Sequence, residues 1–124
     1  MKLHAETNAG NYIQSVTSEA VLIGGQSYPG GVIVSAARII PDWHPRPIAG
    51  LQIDDFQAAL DLQPEVILFG TGTTHCFASN RLMTTIMSRG IGFEVMATAA
   101  ACRTYNVLLA EDRRVVAALL LGSR

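Results

Sequence analysis

The chain has 124 residues, 49% of them apolar and 15% charged, with a net charge of −1. That length suits a single domain spanning 1–124, because a second would be too small to hold its own core. Low charge, scattered basic residues and 6% aromatics argue against disorder, nucleic-acid binding and single-strand stacking, and leave apolar surface that self-association could cover.

Residues 1–50 read as mainly β. The opening MKLHAETNAGNY has neither an apolar signal core nor an Arg-rich amphipathic presequence. No apolar run reaches the roughly 18 residues of a membrane span, so the expected location is the cytoplasm. YIQSV (12–16) alternates, AVLIGG (20–25) is apolar up to its glycines, and VIVSA (32–36) is β-branched. GQSYPGG (25–31) reads as turn chemistry. Together these segments predict a small antiparallel group. IIPDWHPRPIAG (39–50) holds three prolines, which predict an extended loop, since each disfavours helix in the residue before it. Trp43 in that loop reads equally as an exposed interface anchor and as the pin of a loop to its own domain.

From residue 51 helices and strands alternate. Asp54 is placed to cap a short helix with Phe56, Ala59 and Leu60 on one face, ended by Pro64. EVILFG (65–70) reads as a buried strand. SNRLMTTIMSRG (79–90) reads as a helix capped by Ser79 or Asn80 and stopped by Gly90. IGFEVM (91–96) is the next strand, Thr98 is placed to cap a helix over 98–110, and RVVAALLL (114–121) closes as a strand apolar on both faces. Such strands belong to parallel sheets covered by helices. The predicted fold is α/β, a three-layer sandwich with a mainly parallel central sheet and an N-terminal antiparallel β appendage.

Three groups of residues bear on chemistry. In the 98–110 helix, Leu108, Ala101, Tyr105, Leu109 and Cys102 project onto one arc, which should face the sheet. Arg103 and Asn106 lie on the opposite arc among Ala99, Ala100, Val107 and Ala110, where an ordinary solvated face would carry Lys and Glu. Arg103 reads equally as a side chain reaching water over its alanines and as a fork of donors for a carboxylate, phosphate or carbonyl. The turn FGTGTTHCF (69–77) follows a buried strand, the usual place for ligands in open α/β sheets. With Gly70, Thr71 and Gly72 it lacks both the third glycine of a dinucleotide loop and the GK[ST] of a phosphate loop. A tight turn needing two glycines is therefore the better reading.

His75 and Cys76 are adjacent, with no Asp or Asn nearby to orient the histidine, so nucleophilic catalysis is not expected of them. Cys102 is expected to be an inert buried thiol. Cys76, Cys102 and His75 are too few and too far apart for a metal site, and neither a disulfide nor a cofactor is expected. Glu94, if its strand is covered on both faces, needs a partner such as Arg103 or Arg114. No second carboxylate stands at motif spacing for hydrolysis.

EVILFGTG (65–72), GFEVMATAAACRTYNVLLAEDRRVVAAL (92–119) and the upstream YPGGVIV together resemble the mitochondrial complex I assembly factor 3 family and its bacterial and archaeal relatives. The resemblance covers nearly the whole chain. It implies a compact three-layer fold with a parallel sheet and an added antiparallel sheet, and no established reaction; eukaryotic members of the family act with a partner protein in assembling respiratory complex I, while most prokaryotic members have no assigned activity. Gly70, Thr71 and Gly72 match the family's glycine turn. Glu94, Met96, Thr98, Arg103, Thr104, Tyr105 and Asn106 match its second motif, and Arg114 matches the arginine before the last strand. Ala97 departs from it, where relatives often carry a polar residue.

Two expectations follow. The first is a non-enzymatic interaction or assembly domain whose partner is an unidentified protein, such as a respiratory-complex assembly component. The second is a small-molecule or anion site, enzymatic or not, between the Gly70–Thr71–Gly72 turn and the 98–110 helix. The residues carried into the structure are Gly70, Thr71, Gly72, Thr98, Arg103 and Asn106.

Overall fold

A computed structural model describes residues 10–122. The opening stretch read above for a presequence therefore lies, up to residue 9, outside the described residues. Two all-buried strands, β6 (Val66–Thr71) and β8 (Val115–Leu120), form the middle of a five-stranded sheet. They pair in parallel, and β7 (Gly92–Met96) extends them in parallel at one edge. On the other side β4 (Val32–Val34) pairs antiparallel with β8, and β5 (Ile39–Pro41) pairs antiparallel with β4.

The sheet is thus mixed, which corrects the expected mainly parallel one. The N-terminal β group does not stay together. Only β1 (Ile13–Val16), β2 (Ala20–Ile23) and β3 (Gln26–Pro29) form a separate antiparallel sheet. β4 is Val-Ile-Val and wholly buried. A strand with no polar face is poorly suited to an appendage that meets water, and it lies between two others. β3 falls where turn chemistry was read. The turn itself is Gly24 and Gly25, both at positive φ, a hairpin conformation that glycine adopts without strain. Pro29 ends an edge strand, where a missing N–H is tolerated. The loop read over 39–50 likewise begins with β5 and ends in a 3-10 turn, Ile48–Gly50.

Three α-helices complete the described residues. α1 (Gln57–Leu60) follows a 3-10 turn, Ile53–Phe56. Asp55, not Asp54, serves the start of that 3-10 turn, accepting the Gln52 amide at 2.9 Å, and α1 itself has no side-chain cap. α2 (Asn80–Met87) is capped by Ser79, whose hydroxyl accepts the Leu82 amide at 3.1 Å. α3 (Thr98–Ala110) is capped by the backbone of Ala97, with no side-chain bond. Thr98 is its first residue rather than its cap. None of these helices is long and apolar enough to cross a membrane.

The strict alternation of strands divides the core in two. Val66, Leu68, Val115, Ala117 and Leu119 pack toward α3 and the three-stranded sheet. Ile67, Phe69, Val116, Ala118 and Leu120 pack toward Phe56, Leu82, Ile86 and Trp43. Trp43 is the pin, not an exposed anchor. Its ring lies edge-on to Phe69 at 6.0 Å, and its Nε1–H donates to the Asp55 carbonyl at 2.9 Å.

Candidate functional site

The glycine turn and the start of α3 meet at the carboxyl ends of β6 and β8. Thr98 holds them together. Its hydroxyl donates to the Leu120 carbonyl at 2.6 Å and accepts the Gly72 amide at 2.8 Å, while its own amide donates to the Gly72 carbonyl at 2.9 Å. Gly70 makes this approach feasible. A Cβ there would stand 2.7 Å from the Thr98 hydroxyl and 3.0 Å from both Thr98 Cα and a Leu119 methyl. Gly72 has φ +99, a conformation open to glycine and costly for other residues. The Thr71 hydroxyl donates to the Thr74 carbonyl at 2.7 Å and accepts the Cys76 amide at 3.2 Å. Thr71 and Thr98 are the buried polar residues among those described, and each is satisfied from within, as burial requires.

On α3, Tyr105 is fully buried and donates its hydroxyl to the Asn11 carbonyl at 2.8 Å. Burial raises its pKa above the phenol range, with neighbouring Tyr12 adding to the rise. Asn106 is half-buried and binds one residue of β1 on both sides. Its Oδ1 accepts the Ile13 amide at 2.9 Å, and its Nδ2 donates to the Ile13 carbonyl at 2.8 Å. An amide side chain so placed acts as one more rung of a β ladder, and α3 thereby fastens the small sheet. The projection had set Asn106 beside Arg103 on the outward face. The structure separates them. Arg103 is exposed and makes no hydrogen bond or ion pair among the described residues, and Val107 beside it is 57% exposed. Burial pushes the Cys102 thiol up to about 12, although Arg103 opposes the shift; it is inert at neutral pH.

The other candidates fall elsewhere. Glu94 is exposed because β7 is an edge strand, so the need for a buried partner does not arise. Arg114 donates its amide to Glu65 at 2.8 Å, and Arg113 pairs with the same carboxylate at 3.0 Å. His75 packs its ring on Phe77 at 4.8 Å and makes no hydrogen bond to Cys76 among the described residues.

Sequence reasoning missed one concavity. A groove of about 650 Å³ runs beneath the proline-rich loop, lined by Trp43, His44, Pro45, Arg46, Cys76 and Leu120 among others. The signal was the loop's composition, which sequence reading took only as extended chain. Arg46 is tied at 2.6 Å to Asp54 and 2.9 Å to Asp55. Burial would raise the Asp55 pKa, but the Gln52 amide and Arg46 outweigh it and hold the carboxyl below its ordinary value.

Comparison with known proteins gives the family and the fold. The family described as a protein of unknown function (DUF498/DUF598) matches residues 13–120. An uncharacterised protein of Rhodobacter capsulatus is 37% identical over 100 residues, covering 79% of this chain and 74% of its own. The zebrafish (Danio rerio) NADH dehydrogenase [ubiquinone] 1 alpha subcomplex assembly factor 3 is 29% identical over 127 residues, covering 98% of this chain and 72% of its own. A solution structure from Xanthomonas campestris superposes with a TM-score of 0.81 at 33% identity, covering 93% of this chain and 87% of its own.

Proposed function

The chain belongs to the DUF498/DUF598 family, and on that premise we propose that it is a non-enzymatic protein-interaction domain. It works in the cytoplasm in the assembly of a larger complex. Its partner is a protein, with a respiratory-complex assembly component as the first candidate, as the name of the zebrafish relative suggests.

One observation carries this reading. Along α3 every polar side chain that could have served a ligand is engaged, except Arg103. Thr98 is held by Gly72 and Leu120, Tyr105 by Asn11, Asn106 by Ile13, and Thr104 lies 3.7 Å from the Met96 sulfur. Arg103 has no hydrogen bond or ion pair among the described residues and lies beside exposed Val107 and Ala99. A cation over small apolar neighbours suits a protein surface with a carboxylate or a carbonyl at its centre, since Arg is enriched among residues that anchor interfaces. Gly70, Thr71, Gly72, Thr98 and Asn106 then serve binding indirectly, by fixing α3 against β6, β8 and β1.

Affinity purification of the tagged chain from its native host tests the proposal. A partner should be recovered with the wild type and lost with Arg103→Glu and with Val107→Asp, while both variants stay folded. If those variants retain every partner seen with the wild type, α3 is not the docking face.

A further inference from the structure

The edges of the five-stranded sheet differ. One is β5, three residues long and ending in Pro41, which has no amide to offer. The other is β7, five residues with no proline, paired on one side only. Gly92 donates its amide to the Glu65 carbonyl at 2.9 Å. Alternation therefore turns the main-chain groups of Gly92, Glu94 and Met96 toward β6, and those of Phe93 and Val95 away from it. No hydrogen bond to those outward groups occurs among the described residues. Edge strands with free ladders are ordinarily blunted by charge, proline or a bulge. Here the one charge is Glu94, exposed and without an ion pair among the described residues.

The side chains around this edge are informative. Phe93 and Val95 pack toward α2, while Met96 packs toward α3 and lies 3.7 Å from the Thr104 hydroxyl. Alternation puts Glu94 on the α3 side with Met96. Among the described residues the exposed large apolar side chains are Phe77, Met87 and Val107. Met87 belongs to α2 and Val107 to α3, the two helices that pack against β7. Each helix packed against β7 thus carries one exposed large apolar side chain.

Resting on the interaction reading above, we infer that β7 takes an extended segment of a partner protein as an added antiparallel strand, with a Lys or Arg opposite Glu94. The free groups of Phe93 and Val95 supply the main-chain bonds, the mode by which other sheets capture peptides. Glu94 falls at a non-hydrogen-bonded position of the new pair, where side chains on opposite strands come closest and opposite charges stabilise. The same carboxylate disfavours self-pairing centred on Glu94, which would set two negative charges face to face.

Titration of the full chain, followed by NMR of its amides, tests this with two capped peptides. One is Thr-Val-Thr-Lys-Thr-Val-Thr and its twin carries Glu at the centre. The Lys peptide should shift the Phe93 and Val95 amides and slow their exchange, and bind about fivefold or more tighter than its twin. Glu94→Lys should reverse that order. Val95→Pro, which deletes an outward amide and leaves the inward ladder, should weaken both. N-methylation of the peptide amides that would meet β7 should do the same without altering the protein.

Strand addition is overturned if the Phe93 and Val95 amides do not respond at about 5 mM peptide or the two peptides bind alike. It is equally overturned if those amides are already protected in a concentration-dependent dimer, with a second copy on the edge. If capture still depends on Arg103 and Val107 while the peptides ignore β7, only strand addition fails. If capture ignores both residues, the docking face on α3 fails whatever the peptides do.

Discussion

Thr98 and Arg103 stand on the same helix, and their polar groups have opposite fates. Around Thr98 the side-chain hydroxyls close on the protein itself: that of Thr98 joins Gly72 to Leu120 and that of Thr71 bonds Thr74, a knot at the strand ends. One and a half turns on, Arg103 has no partner among the described residues and Val107 beside it lies open. Glycines and threonines at a strand end look like a ligand loop in sequence, yet their bonding is consumed in holding the helix. The residue with spare bonding capacity is Arg103, which the helical projection also sets on the outward face.

Breaking the knot should give the largest effect. Gly70→Ala forces a methyl against Thr98 and Leu119 and should cost about 3 kcal/mol, read as a lower denaturant midpoint with little change in slope. Thr98→Val keeps the shape and removes the hydroxyl. It leaves the Gly72 amide and Leu120 carbonyl unpaired, for an expected loss of about 2 to 3 kcal/mol. Asn106→Leu should cost about 2 kcal/mol, and hydrogen exchange should show it first in β1–β3, because that side chain fastens β1.

Acid gives a smaller effect. Asp55 and Glu65 have folded pKa values below their ordinary 3.8 and 4.5. The Gln52 amide and Arg46 outweigh burial for Asp55; the Arg114 amide and then Arg113 act on Glu65. A depressed carboxyl stabilises fully above its unfolded pKa and loses that contribution as pH falls through the folded one. Stability should therefore decline below about pH 4, stay flat from about pH 5 to about pH 8, and fall again in alkali, where unfolding would free the buried Cys102 thiol and Tyr105 phenol to ionise. Asp55→Asn should flatten the Asp55 part, worth less than about 1 kcal/mol given how exposed Arg46 is. Arg103→Ala should move the melting point least, within about 0.5 kcal/mol. A large loss there would mean that Arg103 is structural, and the contrast with Thr98 would collapse.

Much of this was legible in the sequence because it depends on local pattern. The apolar runs that become β6 and β8, the Ser79 cap and the inward placing of Tyr105 and Cys102 all follow from periodicity and capping chemistry. Sheet order does not. Nothing in VIVSA says that β4 leaves β3 to lie beside β8, since that pairing crosses most of the chain. Asn106 failed for the same reason: its partner, Ile13, is remote in sequence, so projection could give its angle on α3 but not what waited there. Glu94 is exposed only because β7 falls at an edge, again a matter of strand order. The groove under the proline-rich loop depends on where that loop folds back, which composition leaves open.

The division of the core has a spectroscopic consequence. Trp43, the one tryptophan, reports from one face of the central sheet, whereas Tyr12, Tyr28 and Tyr105, all three tyrosines, belong to or pack against the other. Tryptophan fluorescence and tyrosine absorbance therefore watch separate halves of one molecule without any label. Coincident melting curves would mark a single cooperative unit. A tyrosine signal that moved first would show the three-stranded sheet and α3 loosening while the aromatic cluster under Trp43 held.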